Sequence, residues 1–121
     1  MNAVDGKMRL AALFSLALVG ACAPGRQADL TAIKGIRSAA AEWALVNREA
    51  ERGRLIPPYA NGMRTAAREE IAKETHALTQ TDSPGAHHAS ALRALPSDAA
   101  PGLIEPHVKA LQKIETALES S

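Results

Sequence analysis

The residues best suited to bind a transition metal are one cysteine and four histidines. The histidines are His76, His87, His88 and His107. Metal ligands must converge, which on a helix favours a spacing of three or four residues, whereas neighbours such as His87 and His88 point about 100° apart. We therefore expect the histidines to lie at the surface or at helix ends, with no metal bound.

The sequence lacks the residue patterns of common catalytic sites. Ser38 and Ser90 have no nearby histidine with an orienting acid, and no Gly-x-Ser-x-Gly segment is present. A phosphate-binding loop, a dinucleotide fingerprint and a haem-attachment motif are also missing. We predict a non-enzymatic protein without a cofactor.

Cys22 is the only cysteine, so no disulfide can form within the chain. It follows a segment with the basic residues Lys7 and Arg9, an apolar run over residues 10–19 and two small residues. A basic, an apolar and a small segment in this order are typical of an export signal. The apolar run has about half the length that a membrane-spanning helix needs, so we expect no permanent span.

The segment Leu18-Val19-Gly20-Ala21-Cys22 resembles the lipobox of bacterial lipoproteins, in which an aliphatic and two small residues precede the cysteine. The resemblance covers about the first fifth of the chain. It implies cleavage before Cys22, attachment of diacylglycerol to its sulfur and acylation of the new amino group. Two acyl chains anchor a protein stably. In Gram-negative lipoproteins Asp after the cysteine favours the inner membrane; Ala23 therefore implies the outer membrane, facing the periplasm.

Three alternatives for this segment stay open. An ordinary signal peptidase could cut near Ala21 or Ala23. Cys22 could be buried in an amphipathic amino-terminal helix, although residues 10–19 carry no polar stripe. Translation could also start at Met8, which leaves a shorter signal.

Charge bears on the expected partners. Residues after position 21 carry equal numbers of basic and acidic side chains, because Lys7, Arg9 and Asp5 account for the net charge of +1. A neutral domain offers no electrostatic attraction for nucleic acid or anionic lipid. We therefore expect membrane contact through the anchor on Cys22 and a partner protein in the envelope.

Five arginines lie around the connector between the first two predicted helices. They are Arg48, Arg52, Arg54, Arg64 and Arg68. Glutamates alternate with them, which favours a solvated surface of mixed charge. Glu69 with Lys73 and Glu105 with Lys109 have the spacing of ion pairs within a helix.

Apolar residues recur at helical spacing in four segments. We expect Asp29 and Ser83 to cap the first and third helices and Gly53 to end the first. Because proline is tolerated only in a first turn, the regular part of the last helix should begin near Glu105, just before Pro106. The four helices are expected at about residues 30–52, 58–78, 84–95 and 103–118.

These segments predict an all-α fold, a small antiparallel helical bundle of three long helices and one short helix. The predicted organisation is a cleaved signal peptide at residues 1–21, a lipidated tether at 22–28 and a helical domain at 29–121. Trp43 should be the main core residue. We expect a lipid-anchored envelope protein that contacts another protein; the alternative is a small-ligand-binding module, which a pocket beside Trp43 would favour.

Overall fold

A computed structural model shows four helices and, over residues 2–121, no strand. Side chains are described for residues 25–121, so the predicted signal peptide and lipidation site, Cys22, lie outside the described residues. The helices are α1 (Asn2–Glu51), α2 (Pro57–Ala77), α3 (Pro84–Ala94) and α4 (Pro101–Ser120). The prediction of an all-α fold with one short helix is confirmed.

Contacts near the two ends of α2 define its direction. Near the start of α2, Arg64 Nε donates to Asn47 Oδ1 at 2.5 Å. Just after its end, the backbone N–H and the hydroxyl of Thr79 donate to the carboxylate of Asp29, at 2.7 and 2.8 Å. The helix therefore runs antiparallel to α1.

Helix α4 also runs antiparallel to α1, on a different side of it. Arg48 forms an ion pair with Glu105 near the start of α4, and Lys34 Nζ lies 3.2 Å from Glu119 Oε1 near its end. In the described part of the chain α2 and α4 do not pack on each other, whereas α3 packs on both of them and slightly on α1. The result is an up-down-up-down bundle in which α1 lies opposite α3.

The start of the first helix differs from the prediction. Residues 25–28 belong to α1, and Asp29 is inside the helix rather than at its N-cap. Its carboxylate instead holds the segment after α2 through Thr79. The prediction that the helix begins at Asp29 is therefore wrong. Its carboxylate accepts hydrogen bonds from Thr79 in the loop after α2 and not from the backbone at the start of α1.

Two other predicted helix ends are confirmed, and one is not. Gly53 follows α1 with a φ of 69°, a left-handed conformation that glycine adopts without strain. Ser83 Oγ accepts from the N–H of Ala86 at 3.3 Å and caps α3. Helix α4, however, begins at Pro101, so Pro106 lies in its second turn. Pro106 and Gly102 are both exposed, and water can satisfy the carbonyl that Pro106 leaves without a donor.

Small residues let the helices approach closely. Half of the buried core cluster is alanine, which leaves its larger members to fill the space between helices. At Gly85 an added Cβ would lie 2.4 Å from Cδ1 of the buried Ile33, so α3 can approach α1 only with glycine there. At Gly35 an added Cβ would lie 2.8 Å from Glu74 Cγ, on a side chain of α2.

Neither of the two ion pairs predicted within helices forms; other pairs take their place. Glu105 pairs with Arg48 of α1 rather than with the lysine four residues further on. Lys73 lies 3.9 Å from Glu70, not beside Glu69. Such exposed pairs contribute about 0–1 kcal/mol each, so the packed core supplies most of the stability.

The two glycines Gly85 and Gly62 offer a matched test of this packing. Gly85→Ala should destabilise the protein by about 1–3 kcal/mol, because the new methyl group meets the buried Ile33. Gly62→Ala should stabilise it by about 0.5–1 kcal/mol, because nothing lies within 4 Å of the added Cβ and alanine favours the helix. Urea unfolding followed by circular dichroism measures both. A Gly85→Ala protein as stable as Gly62→Ala would contradict this packing.

Candidate functional site

Trp43 lies at the centre of the bundle, as the sequence predicted. Its side chain is 0% exposed, and its indole Nε1–H donates to the carbonyl oxygen of Ser97 at 2.8 Å. A buried indole needs such an acceptor, because an unpaired N–H would be costly. Trp43 therefore fills the core and also binds the connector between α3 and α4.

Asn47 lies one turn further along α1. Apart from the indole N–H of Trp43, it supplies the only polar group on a buried side chain in the described residues. Its Nδ2 donates to the carbonyl oxygens of Ser97 and Ala99 at 3.1 and 2.7 Å, and its Oδ1 accepts from Arg64. Every described buried side-chain polar atom has a partner. Asn47 was not among the residues predicted from the sequence, in which the available signal is a polar residue four positions after Trp43 on the apolar face.

Arg68 covers the indole from α2. Its Cζ lies 5.8 Å from the ring centroid of Trp43, within the range of a cation–π contact, and its Nη2 donates to the Leu95 carbonyl at 3.4 Å. Beside it is a cleft of about 340 Å³ between α2 and α3, which we call the α2–α3 cleft. It is lined by Trp43, Thr65, Arg68, Glu69, Ile71, Ala72, Leu92 and Arg93.

The cleft has an apolar base and a charged rim. Trp43, Ile71 and Leu92 are at most 1% exposed, so Arg68 and its neighbours seal them from water. Glu69 and Arg93 are exposed at the rim. An apolar base with a few polar groups around it is the usual composition of a ligand site.

The structure brings together two of the four histidines. His88 of α3 and His107 of α4 have their Nδ1 atoms 3.0 Å apart and their ring centroids 5.3 Å apart. The two nitrogens therefore lie near the line between the ring centres, as in an N–H···N hydrogen bond, and do not converge on a third point as metal ligands would. In the described residues no group of three or more possible metal ligands occurs.

The other two histidines lie elsewhere. His76 is in the last turn of α2, and His87 points towards Asp82, with its Nε2 3.5 Å from a carboxylate oxygen. The expectation of surface or helix-end positions is confirmed for these two. The contact between His88 and His107 was missed, because periodicity does not reveal which residues of two helices face each other.

Burial in the contact between α3 and α4 lowers the pKa of His107 from its usual 6.5, and repulsion from His88 lowers it further. No charged residue lies three or four positions from His107 on α4 or from His88 on α3. The α1 residue known to approach α3 here, Ile33, is apolar, while Arg68 of α2 reaches α3 only at Leu95. The folded protein thus favours neutral His107.

The arginines named above separate into two groups. Arg48, Arg52 and Arg54 pair with glutamates at the surface, which confirms a mixed-charge surface for these three. Arg64 and Arg68 instead contact Asn47 and Trp43. The five side chains therefore do not form one basic patch.

Large exposed apolar side chains lie at one end of the bundle. We call it the distal end, where α1 ends and α2 and α4 begin. In the described residues four large apolar side chains are more than half exposed, and all of them are near this end. They are Leu45, Ile56, Tyr59 and Leu103.

Comparison with protein-family models, curated protein sequences and solved structures gives no match to this chain. In the part of the chain that the structure describes, no helix has a stretch long and apolar enough to cross a membrane.

The histidine pair predicts a pH dependence of stability. The pKa of His107 is lowered on folding. Its contribution to the free energy of unfolding is therefore complete above pH 6.5 and declines as the pH falls below that value. In His88→Ala the pKa of His107 should rise, since the repulsion is removed. Titration of the histidine ring resonances by NMR measures it. The adjacent His87→Ala serves as the control and should leave His107 unchanged; equal effects of the two variants would contradict the pairing.

Proposed function

We propose that this chain is a non-enzymatic, lipid-anchored protein of the bacterial envelope whose helical bundle contacts another protein in the periplasm. The observation that carries the proposal is the lipobox-like segment that ends at Cys22, the only cysteine. Fatty acids such as palmitate would be attached to this residue. Ala23 supports the outer membrane as the location in a Gram-negative cell.

The position of the bundle relative to Cys22 supports a tethered arrangement. Described side chains begin at Gly25, three residues after Cys22, at the end opposite the distal end. The carboxyl terminus is also at this end, because Arg26 Nη1 donates to the carbonyl oxygen of Ser121 at 2.6 Å. Helix α1 from Gly25 to Glu51 spans about 40 Å at 1.5 Å per residue. An anchor at Cys22 therefore leaves the distal end free to meet a partner.

The distal end has the composition of a contact surface. Single exposed apolar residues are common, but four at one end suggest a region from which a partner excludes water. Tyr59 is among them, and tyrosine is enriched in protein interfaces because it combines a large apolar ring with a hydroxyl group. Ion pairs such as Arg48–Glu105 lie nearby and supply a polar rim.

The lipid anchor is tested by metabolic labelling. Cells that express the full chain with an alkyne analogue of palmitate should label the protein, and mass spectrometry should show that the mature chain begins at Cys22. Cys22→Ser should abolish the label, because the thiol is the acceptor of diacylglycerol. Ala23→Ser is the matched control and should keep it. Labelling that persists in Cys22→Ser, or a mature chain that begins elsewhere, would contradict the proposal.

The contact surface is tested by adding charge at the distal end. Ile56 is the N-cap of α2 and makes no side-chain cap bond, and Tyr59 is in the first turn. Because aspartate is favoured at both positions, Ile56→Asp/Tyr59→Asp should keep or raise stability while it disrupts an apolar contact. Cross-linking in intact cells should then lose the partner.

The control for this experiment is Gln80→Asp, an exposed position at the opposite end of the bundle. It adds a negative charge without altering the distal end. It should leave the cross-linked product unchanged. If the double variant and Gln80→Asp retain the product equally, the distal end is not the contact surface.

A further inference from the structure

The α2–α3 cleft contains arginine N–H donors that no described side chain or backbone group accepts. Arg93 is exposed and makes no hydrogen bond or ion pair with the described residues. Arg68 has five N–H donors, and the described side chains and backbone accept from only one of them, at the long distance of 3.4 Å. Two guanidinium groups therefore have donors available at one cleft.

The charge and size of the cleft limit what can bind there. Arg68 and Arg93 are opposed by one carboxylate, that of Glu69, so the lining carries a net charge of +1. A single negative charge is balanced by this lining, whereas a dianion would leave the occupied cleft with a net charge of −1. The volume of about 340 Å³ is near the lower limit for ligand sites, which favours a small molecule.

We propose that the α2–α3 cleft binds a small monocarboxylate with a short apolar tail. The carboxylate lies between Arg68 and Arg93, because guanidinium groups match its planar pair of oxygens. The tail lies against the apolar base of the cleft. This binding site goes beyond the proposed envelope role and does not depend on the lipid anchor.

Entry of the tail requires Arg68 to move. The indole of Trp43 is 0% exposed, and the guanidinium of Arg68 lies over its ring. That cover is weakly held, since Arg68 is only half-buried and its bond to Leu95 is longer than a good hydrogen bond. When Arg68 turns towards the carboxylate, the tail takes its place over the ring. Binding therefore changes the surroundings of Trp43 directly.

The single tryptophan allows a direct test. The full chain in zwitterionic micelles has one indole N–H resonance, that of Trp43, which can be followed by ¹⁵N NMR. Hexanoate should shift it saturably. Acetate should bind at least about ten-fold more weakly, because it lacks the methylene groups that the cleft removes from water. Hexylammonium has the same tail and the opposite charge, and should give no saturable shift.

Variants at the rim of the cleft distinguish binding of hexanoate in the cleft from binding elsewhere on the bundle. Arg93→Ala should raise the Kd for hexanoate by about five-fold, the effect expected for an exposed ion pair, and Arg93→Glu should raise it further. Lys109→Ala, an exposed lysine of α4 outside the cleft, should leave the Kd unchanged.

Other outcomes would overturn the proposal. Equal responses to hexanoate and hexylammonium would show apolar binding without charge recognition. Equal affinity for acetate and hexanoate would show that the anion binds without any contact between its apolar tail and the cleft. No saturable shift with hexanoate, or an unchanged Kd in Arg93→Glu, would show that the cleft is not the site.

Discussion

The bundle depends on how α1 binds the connector between α3 and α4. Asn47 and Trp43 donate three hydrogen bonds to the carbonyl oxygens of Ser97 and Ala99, and the remaining oxygen of Asn47 accepts from Arg64. Backbone carbonyls beside a packed core must have donors, since a buried unpaired group costs about 1–3 kcal/mol. These bonds therefore hold the connector between α3 and α4 against α1. An apolar residue at position 47 could fill the space but could not hold the connector.

The same arrangement creates the α2–α3 cleft. Once Ser97 is held against Trp43, Leu95 at the end of α3 comes within reach of Arg68 on α2. Arg68, a polar side chain, then covers the indole, and a polar opening lies above an apolar base. A structural contact and a candidate binding site thus share one residue. The face where α1 contacts α4 is instead crossed by ion pairs such as Lys34–Glu119.

Sequence periodicity was a good guide to the helices but a poorer guide to their ends. Gly53 and Ser83 were recognisable because a left-handed glycine and a capping hydroxyl act on neighbouring residues. Asp29 has the same capping chemistry, but its carboxylate binds Thr79, fifty residues away. Pro106 was expected to mark a helix start, yet it lies in the second turn of α4 because its neighbourhood is exposed. The ends were predictable where the interaction is local.

The sequence by itself determined the all-α fold, the burial of Trp43 and the lipobox resemblance at Cys22, because each follows from residue type and short-range spacing. Only the tertiary structure decided that His88 meets His107, that Asn47 binds the connector and that Arg68 and Arg93 share a cleft. Periodicity identifies the face of a helix that is buried. It does not specify the register between two helices, and a shift of one turn would separate each of these pairs.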